Sequence, residues 1–376
     1  MRRRPHTREK RPFAGVEAVG VMTEMPRGIM PGEAIEPREE TNPALLSAEL
    51  PVERAGACAP VPFAAKARYG QAIMSPSAQH APRGARDTSD PVRGIMTLAG
   101  GKLYALQNPY AVDGRVSTYP ASARGFSVAN SYLLTESDAA MLIDTGFGKD
   151  EPVIRSQIES LIAPGLPLSL FPLRLNEFMS INNVETFAAH FNVEQCYTSN
   201  TDAALWFDFG ANANGRSILD SMPITAVTRS DTIQLGAKGR PVDVMQAPIR
   251  LIATRWLYDR ATRTLFSSDM FTHVWRARPD GPWIVTDDDH TSAPELRSFL
   301  LNTRYWWLEG APTDSIRAGI RDVFDKCDVE TIAPGYGCIL HGREVVMRHV
   351  RMLDEVLKGL DSSVAVSRYV GRDEER

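Results

Sequence analysis

The chain has 376 residues, 42 Lys and Arg against 46 Asp and Glu, a formal net charge of −4, and 43% hydrophobic residues. That length bounds it to one large domain or two ordinary ones, with enough apolar material for a sizeable core. The slightly acidic balance argues against nucleic acid and anionic membrane as partners, and no run of eighteen apolar residues supports a transmembrane helix.

Residues 1–92 are rich in Pro, Gly, Arg and Glu and keep no helical or strand period, so most of this stretch is expected to be disordered. Its opening, MRRRPHTREKR, is basic but no apolar stretch follows, which argues against a secretory signal. A solvated tail is the plain reading, and contact with nucleic acid or lipid is the alternative. Order is expected over 93–365, with a flexible tail at 366–376. Cys58, Cys196, Cys327 and Cys338 form no CxxC pair. Neither a disulfide framework nor a zinc knuckle is expected, and a reducing, cytoplasmic location fits.

From Ile95 onward, GKLYALQNPY and RVSTYPAS carry strand-like residues. SVANSYLLT and AAMLIDT read as two strands joined by a turn at Glu136 to Asp138. A helix is predicted from Glu151 to Ile162, stopped by Pro164 and Gly165. FPLRLNEF gives a short strand or its end. Asn182 or Asn183 is a candidate cap for a helix carrying Val184, Phe187 and Ala188. VEQCYTS reads as a strand, and TDAALWFDF as a helix with Thr201 as a candidate cap. TAVTRS, TIQLG and PVDVMQAPI read as further strands, and RLIATRWLYD with TRTLFSSD as a hairpin or two sequential strands. VETIAPGYG is a strand running into a glycine turn. HGREVVMRHVRMLDEVLKGL is a helix with an apolar stripe through Val345, Val346, Val350, Leu353 and Leu357. Strand pairs with intervening helices predict two sheets packed face to face with helices outside.

The sequence contains no HExxH, GxSxG, GxGxxG after an early strand, GxxxxGK[ST] or EF-hand loop. Its histidines are scattered. One concentration stands out: Asp269 ends a strand, His273 follows four residues on, and DDDHTS supplies Asp287, Asp288, Asp289 and His290. A solvated acidic loop explains these residues. The alternative is a divalent-metal site, with carboxylates suiting a hard cation and imidazoles widening the choice to iron, manganese or zinc. Arg250 and Arg255 flank an apolar segment. They read either as outward-facing strand charge or as partners of Glu177 or Asp269 in a pocket for a small anionic ligand. Tyr305, Trp306 and Trp307 are candidates for core packing, a pocket or a subunit contact.

The segment from Ile95 to Leu360 resembles the metallo-β-lactamase superfamily, and within it the di-iron, oxygen-reducing, flavodiiron-like branch. SYLLTESDAAMLIDTGFG resembles the opening hairpin and aspartate-glycine turn. LNEFMSINNVETF resembles the branch's His-x-Glu-x-Asp-His ligand loop. DRATRTLFSSDMF resembles its strand-end aspartate signature, and IAPGYG its final Pro-x-His-Gly strand. The resemblance implies an α+β fold, the αββα four-layer metallo-β-lactamase-like sandwich, and a metal centre whose ligands can be placed residue by residue. Leu175 stands at the first histidine, Met179 at the aspartate, Ser180 at the second histidine, Arg250 at a further histidine and Tyr336 at the last. Glu177 and the bridging Asp269 are kept. Leucine and methionine supply no imidazole or carboxylate donor, and arginine brings a fixed positive charge. The expectation is therefore a degenerate metal site without a cofactor, in a pseudoenzyme that binds a small ligand or regulates. Arginine and carboxylate are expected to meet where the metals would sit. The alternative is a metal-dependent hydrolase or oxidoreductase with a rearranged site built from Glu177, Asp269, His273, Asp288, Asp289 and His290. Homodimerisation, common in the resembled branch, is compatible with either.

Overall fold

The computed structural model describes residues 93–207, 222–250 and 252–365. The expectations for 1–92, Cys58 among them, and for 366–376 lie outside the described residues. The chain divides into Met1–Arg83 and Gly84–Arg376, and every described residue belongs to the second unit.

Two seven-stranded sheets form the centre. The first takes its strands in chain order: β1 (Ile95–Ala99), β2 (Leu103–Val112), β3 (Gly125–Thr135), β4 (Ala140–Ile143), β5 (Leu168–Phe171), β6 (Val193–Thr198) and β7 (Ile224–Ala226). The second contains β8 (Thr232–Leu235), β9 (Arg240–Gln246), β10 (Arg255–Asp259), β11 (Thr264–Ser268), β12 (Ile284–Val285), β13 (Thr331–Pro334) and β14 (Ile339–His341). Its spatial order is β12-β14-β13-β11-β10-β9-β8. The helices are α1 (Glu151–Glu159), α2 (Phe178–Ile181), α3 (Val184–His190), α4 (Ala204–Phe207), α5 (Ala293–Leu301), α6 (Asp314–Lys326) and α7 (Arg343–Leu360).

Strand alternation builds the layers, because successive side chains point to opposite faces. Tyr132, Leu134, Met141 and Ile143 of the first sheet pack against Val242, Val244, Leu257 and Phe266 of the second. Their neighbours Leu133, Ala140 and Leu142 face outward and are covered by Ile154 and Ile158 of α1 and Phe187 of α3. On the far side, Trp256, Tyr258 and Ile332 face Leu296 and Leu300 of α5, Ile320 and Val323 of α6 and the stripe Val346, Val350, Leu353 and Leu357 of α7. The result is helices, sheet, sheet and helices, as the hydrophobic pattern predicts.

Several local expectations need correction. RVSTYPAS forms no strand, and the first helix ends at Glu159 rather than Ile162. Asn183 precedes α3, but its side chain does not cap it. Its amide instead donates to the carbonyls of Thr145 (2.8 Å) and Gly146 (3.2 Å), fixing the turn after β4. Helices α5 and α6 are not among the elements expected from sequence. Ser292 and Glu295 form a capping box at the start of α5, with Ser292 N–H donating to Glu295 at 2.8 Å.

Candidate functional site

Strands β11 and β13 run parallel, so their C-terminal ends lie side by side. Asp269 follows the first and Tyr336 the second. Gly335 N–H donates to Ser268 O at 2.7 Å and locks the two ends together. A Cβ on Gly335 would lie 2.7 Å from the end of the Met179 side chain and 3.3 Å from Ser268 O, so a larger residue there would require Met179 to shift. From the first sheet, Asn130 donates to Pro334 O and Gly337 O, both at 3.0 Å, and Tyr132 donates to Pro334 O at 2.7 Å. The segment after β5 brings Arg174, whose backbone bridges Thr254. Glu177 sits at the start of α2, and Arg304 enters between α5 and the turn Trp306–Leu308.

These residues form one cluster of charge. Arg174 is fully buried. Its Nη1 donates to Asp269 Oδ1 and lies 3.3 Å from Glu177 Oε2. Arg304 Nη1 reaches Glu177 Oε2 at 3.2 Å and Asp269 Oδ2 at 3.4 Å, while its Nη2 donates to Ser117 Oγ (3.1 Å) and Thr118 Oγ1 (2.9 Å). Tyr336 donates its hydroxyl to Glu177 Oε1 at 2.6 Å, and its ring centroid lies 5.7 Å from the Arg174 guanidinium carbon. Two arginines and two carboxylates thus balance, and each carboxylate is shared between both guanidinium groups.

The electrostatics follow. Burial pushes the Glu177 carboxyl up, but Arg174, Arg304 and the Tyr336 hydroxyl outweigh it and hold the group below its ordinary range. Burial works against a charged Arg174, yet Asp269 and Glu177 keep it protonated. Behind the cluster, Asp144 accepts from Leu173 N–H at 2.8 Å. Its burial pushes its pKa up to about 6, against the opposing pull of Arg174. Arg174 is not perfectly accommodated: its Nε and Nη2 find no acceptor.

The residues expected from sequence divide into separate groups. Glu177, Asp269 and Tyr336 converge. Arg250 does not join them; it is exposed and donates to Ala247 O at 3.0 Å. Arg255 is held by Gln246 Oε1 at 3.0 Å on the neighbouring strand β9. The arginines at the carboxylates are instead Arg174, one residue before the resembled ligand loop, and Arg304, directly before the aromatic run. The first was legible as a charge in a segment destined for burial; nothing local in the sequence marks the second. His273 turns away from Glu177 and pairs with His349, at 2.9 Å between ring nitrogens. Asp288 and Asp289 bind Arg348, and His290 is largely exposed beside Asp288. The six-residue set Glu177, Asp269, His273, Asp288, Asp289 and His290 therefore does not meet at one point. Tyr305 is buried, Trp307 partly buried, and Trp306 63% exposed.

Whether this donor set suits a metal pair is a question of chemistry. Leu175, Met179 and Ser180 are buried and offer no imidazole or carboxylate, and Leu175 packs outward with Ile158 and Phe187. The Arg174 guanidinium occupies the position between the two carboxylates, where a bridged cation needs them. Among the described residues, no group of three or more His, Cys, Asp or Glu side chains is arranged to hold a metal ion. The residues present do not fit a dinuclear centre.

No family model matches the sequence, and no curated protein matches it. Solved structures do. The rubredoxin oxygen:oxidoreductase of Desulfovibrio gigas superposes with a TM-score of 0.54 at 16% identity, over 70% of this chain and 61% of that one. The flavodiiron protein of Giardia intestinalis gives 0.51 at 14%, over 70% and 59%. The flavodiiron core of Flv1 from Synechocystis gives 0.50 at 16%, over 69% and 60%. The match thus spans about three fifths of the length of these relatives. At this identity the likeness concerns architecture: the chain has the αββα fold of the metallo-β-lactamase type, in the form it takes in flavodiiron proteins.

Proposed function

We propose that this chain is a pseudoenzyme, a binding or regulatory protein on a metallo-β-lactamase-like scaffold, in which an arginine-carboxylate cluster stands in place of a metal pair. The observation that carries this reading is Arg174, fully buried and paired with both Asp269 and Glu177. A fixed cation at that point opposes a second cation by direct repulsion and consumes the carboxylate oxygens a metal would need. Arg304 closes the same carboxylates from the outer side and keeps 15% of its side chain exposed. A small anionic ligand would therefore meet Arg304, with Ser117 and Thr118 beside it. Trp306, two residues on, offers an exposed aromatic contact for a second copy of the chain. Among the described residues no helix is long and apolar enough to cross a membrane, and we place the protein in the cytoplasm.

The test is metal loading. The full chain, purified without chelator, is incubated with iron(II), zinc(II) or manganese(II), desalted and analysed by mass spectrometry. Substoichiometric metal is expected for all three. One or more equivalents retained by the wild type and lost in Asp269→Asn would establish the alternative, a metal-dependent enzyme using Asp269.

A further inference from the structure

A second polar cluster lies on the other side of Asp269, and the function proposed above does not use it. Asp269 and His273 both line a small cavity of ≈ 10 Å³, together with Tyr305 and otherwise apolar side chains such as Phe299 and Leu353. That is about the space of one water molecule. His273 and His349 are both buried, and His273 Nε2 lies 2.9 Å from His349 Nδ1. At the far edge of the second ring, His349 Nε2 has two neighbours of opposite character. Asp289 Oδ1, which only accepts, is at 3.4 Å, and Arg348 Nη2, which only donates, is at 3.3 Å. Those two groups pair with each other at 2.7 Å, and Arg348 also binds Asp288.

From this geometry we propose that His273 and His349 form a tautomeric relay, through which the pair of half-exposed Arg348 and buried Asp289 sets the hydrogen-bonding polarity of His273 beside Asp269. The argument is one of proton counting. Burial and the neighbouring His349 push the His273 pKa down to about 3, and with both rings neutral the pair carries one N–H apiece. When Asp289 holds His349, the His349 Nε2 carries the proton and its Nδ1 is a bare acceptor. His273 must then donate through Nε2, leaving its Nδ1 without a proton. When Arg348 donates to His349, the His349 Nε2 is bare and its Nδ1 carries the proton. His273 Nε2 then accepts, and its own proton resides on Nδ1. Each state satisfies the inner contact, and the difference between them is fixed by which of Arg348 and Asp289 holds His349 Nε2. Whatever engages Arg348 or Asp288 and Asp289 from outside is thereby felt in the cavity that Asp269 shares.

The relay does not depend on the pseudoenzyme reading, since it requires neither metal nor ligand at Glu177. It is tested on the full chain, labelled with nitrogen-15 in histidine, by long-range proton-nitrogen correlation of the imidazole rings. Assignment uses His273→Asn. Arg348→Met removes the donor and is expected to give His273 as the Nε2–H tautomer. Asp289→Ala removes the acceptor and is expected to give the Nδ1–H tautomer. Asp289→Leu, close in shape and without an acceptor, is the second variant should the alanine form unfold, and is expected to shift His273 in the same direction. Opposite tautomers in the Arg348 and Asp289 variants establish the relay. The same His273 tautomer in the Arg348→Met and Asp289 variants overturns it.

Discussion

Arg174→Met tests the central claim. The substitution keeps an unbranched side chain of similar reach while removing the guanidinium that joins Asp269 to Glu177. With Arg174 Nη1 3.3 Å from Glu177, the gross attraction to that carboxylate alone is ~5 kcal/mol at an effective dielectric of about 20. Most of this offsets desolvation, and the unpartnered Nε and Nη2 add to the cost of burying the wild-type side chain. The net penalty of stranding two buried carboxylates is typically about 3–5 kcal/mol. Arg304 remains to hold both, which places the expectation near the lower bound, about 3 kcal/mol. Urea denaturation of wild type, Arg174→Met, Asp269→Asn and the double variant reads this directly. The double variant restores charge balance between Arg304 and Glu177. It is expected to be more stable than the sum of the single losses by at least about 1 kcal/mol. A single variant within about 0.5 kcal/mol of wild type, or strict additivity, would refute the view that these charges act as one unit.

Other outcomes follow from the same geometry. Tyr336→Phe removes a 2.6 Å bond to the Glu177 carboxylate, and is expected to cost about 1.5–3 kcal/mol in denaturation and to raise the Glu177 pKa, followed by carbon-13 titration. For Asp144, burial raises the folded-state pKa from 3.8 to about 6. The native state therefore holds the proton more tightly than the unfolded chain, and stability falls as pH rises between these values. Asp144→Asn should abolish that fall, so its stability relative to wild type climbs by about 2 kcal/mol from pH 4 to 6; a flat difference would contradict the assignment. Returning imidazole and carboxylate donors through Leu175→His, Met179→Asp, Ser180→His and Tyr336→His should not restore metal uptake while Arg174 is present. Adding Arg174→Met should increase bound iron or zinc, measured after desalting. Trp306→Ala is expected to lower the mass seen by light scattering if this face joins two copies.

The sequence by itself determined the layers and the kinds of side chain that line the site. Period-two alternation in SYLLT and AAMLI is enough to place Tyr132 and Met141 between the sheets and Leu133 and Leu142 under the helices, because side-chain direction along a strand is a local property. Likewise, that Leu175, Met179 and Ser180 offer neither imidazole nor carboxylate was legible from residue type alone. Which cation meets the retained carboxylates was decided only by tertiary structure. Arg174, Arg250, Arg255 and Arg304 are chemically equivalent in sequence; the backbone bridge from Arg174 to Thr254 and the exposure of Arg250 separate them. Glu177 and Arg304 are 127 positions apart and meet at 3.2 Å, a contact no local pattern encodes. His273 shows the same limit from the other side. Its spacing from Asp269 suggested a shared site, but pairing with His349 depends on how α7 packs over the second sheet, and packing is settled by the whole core at once.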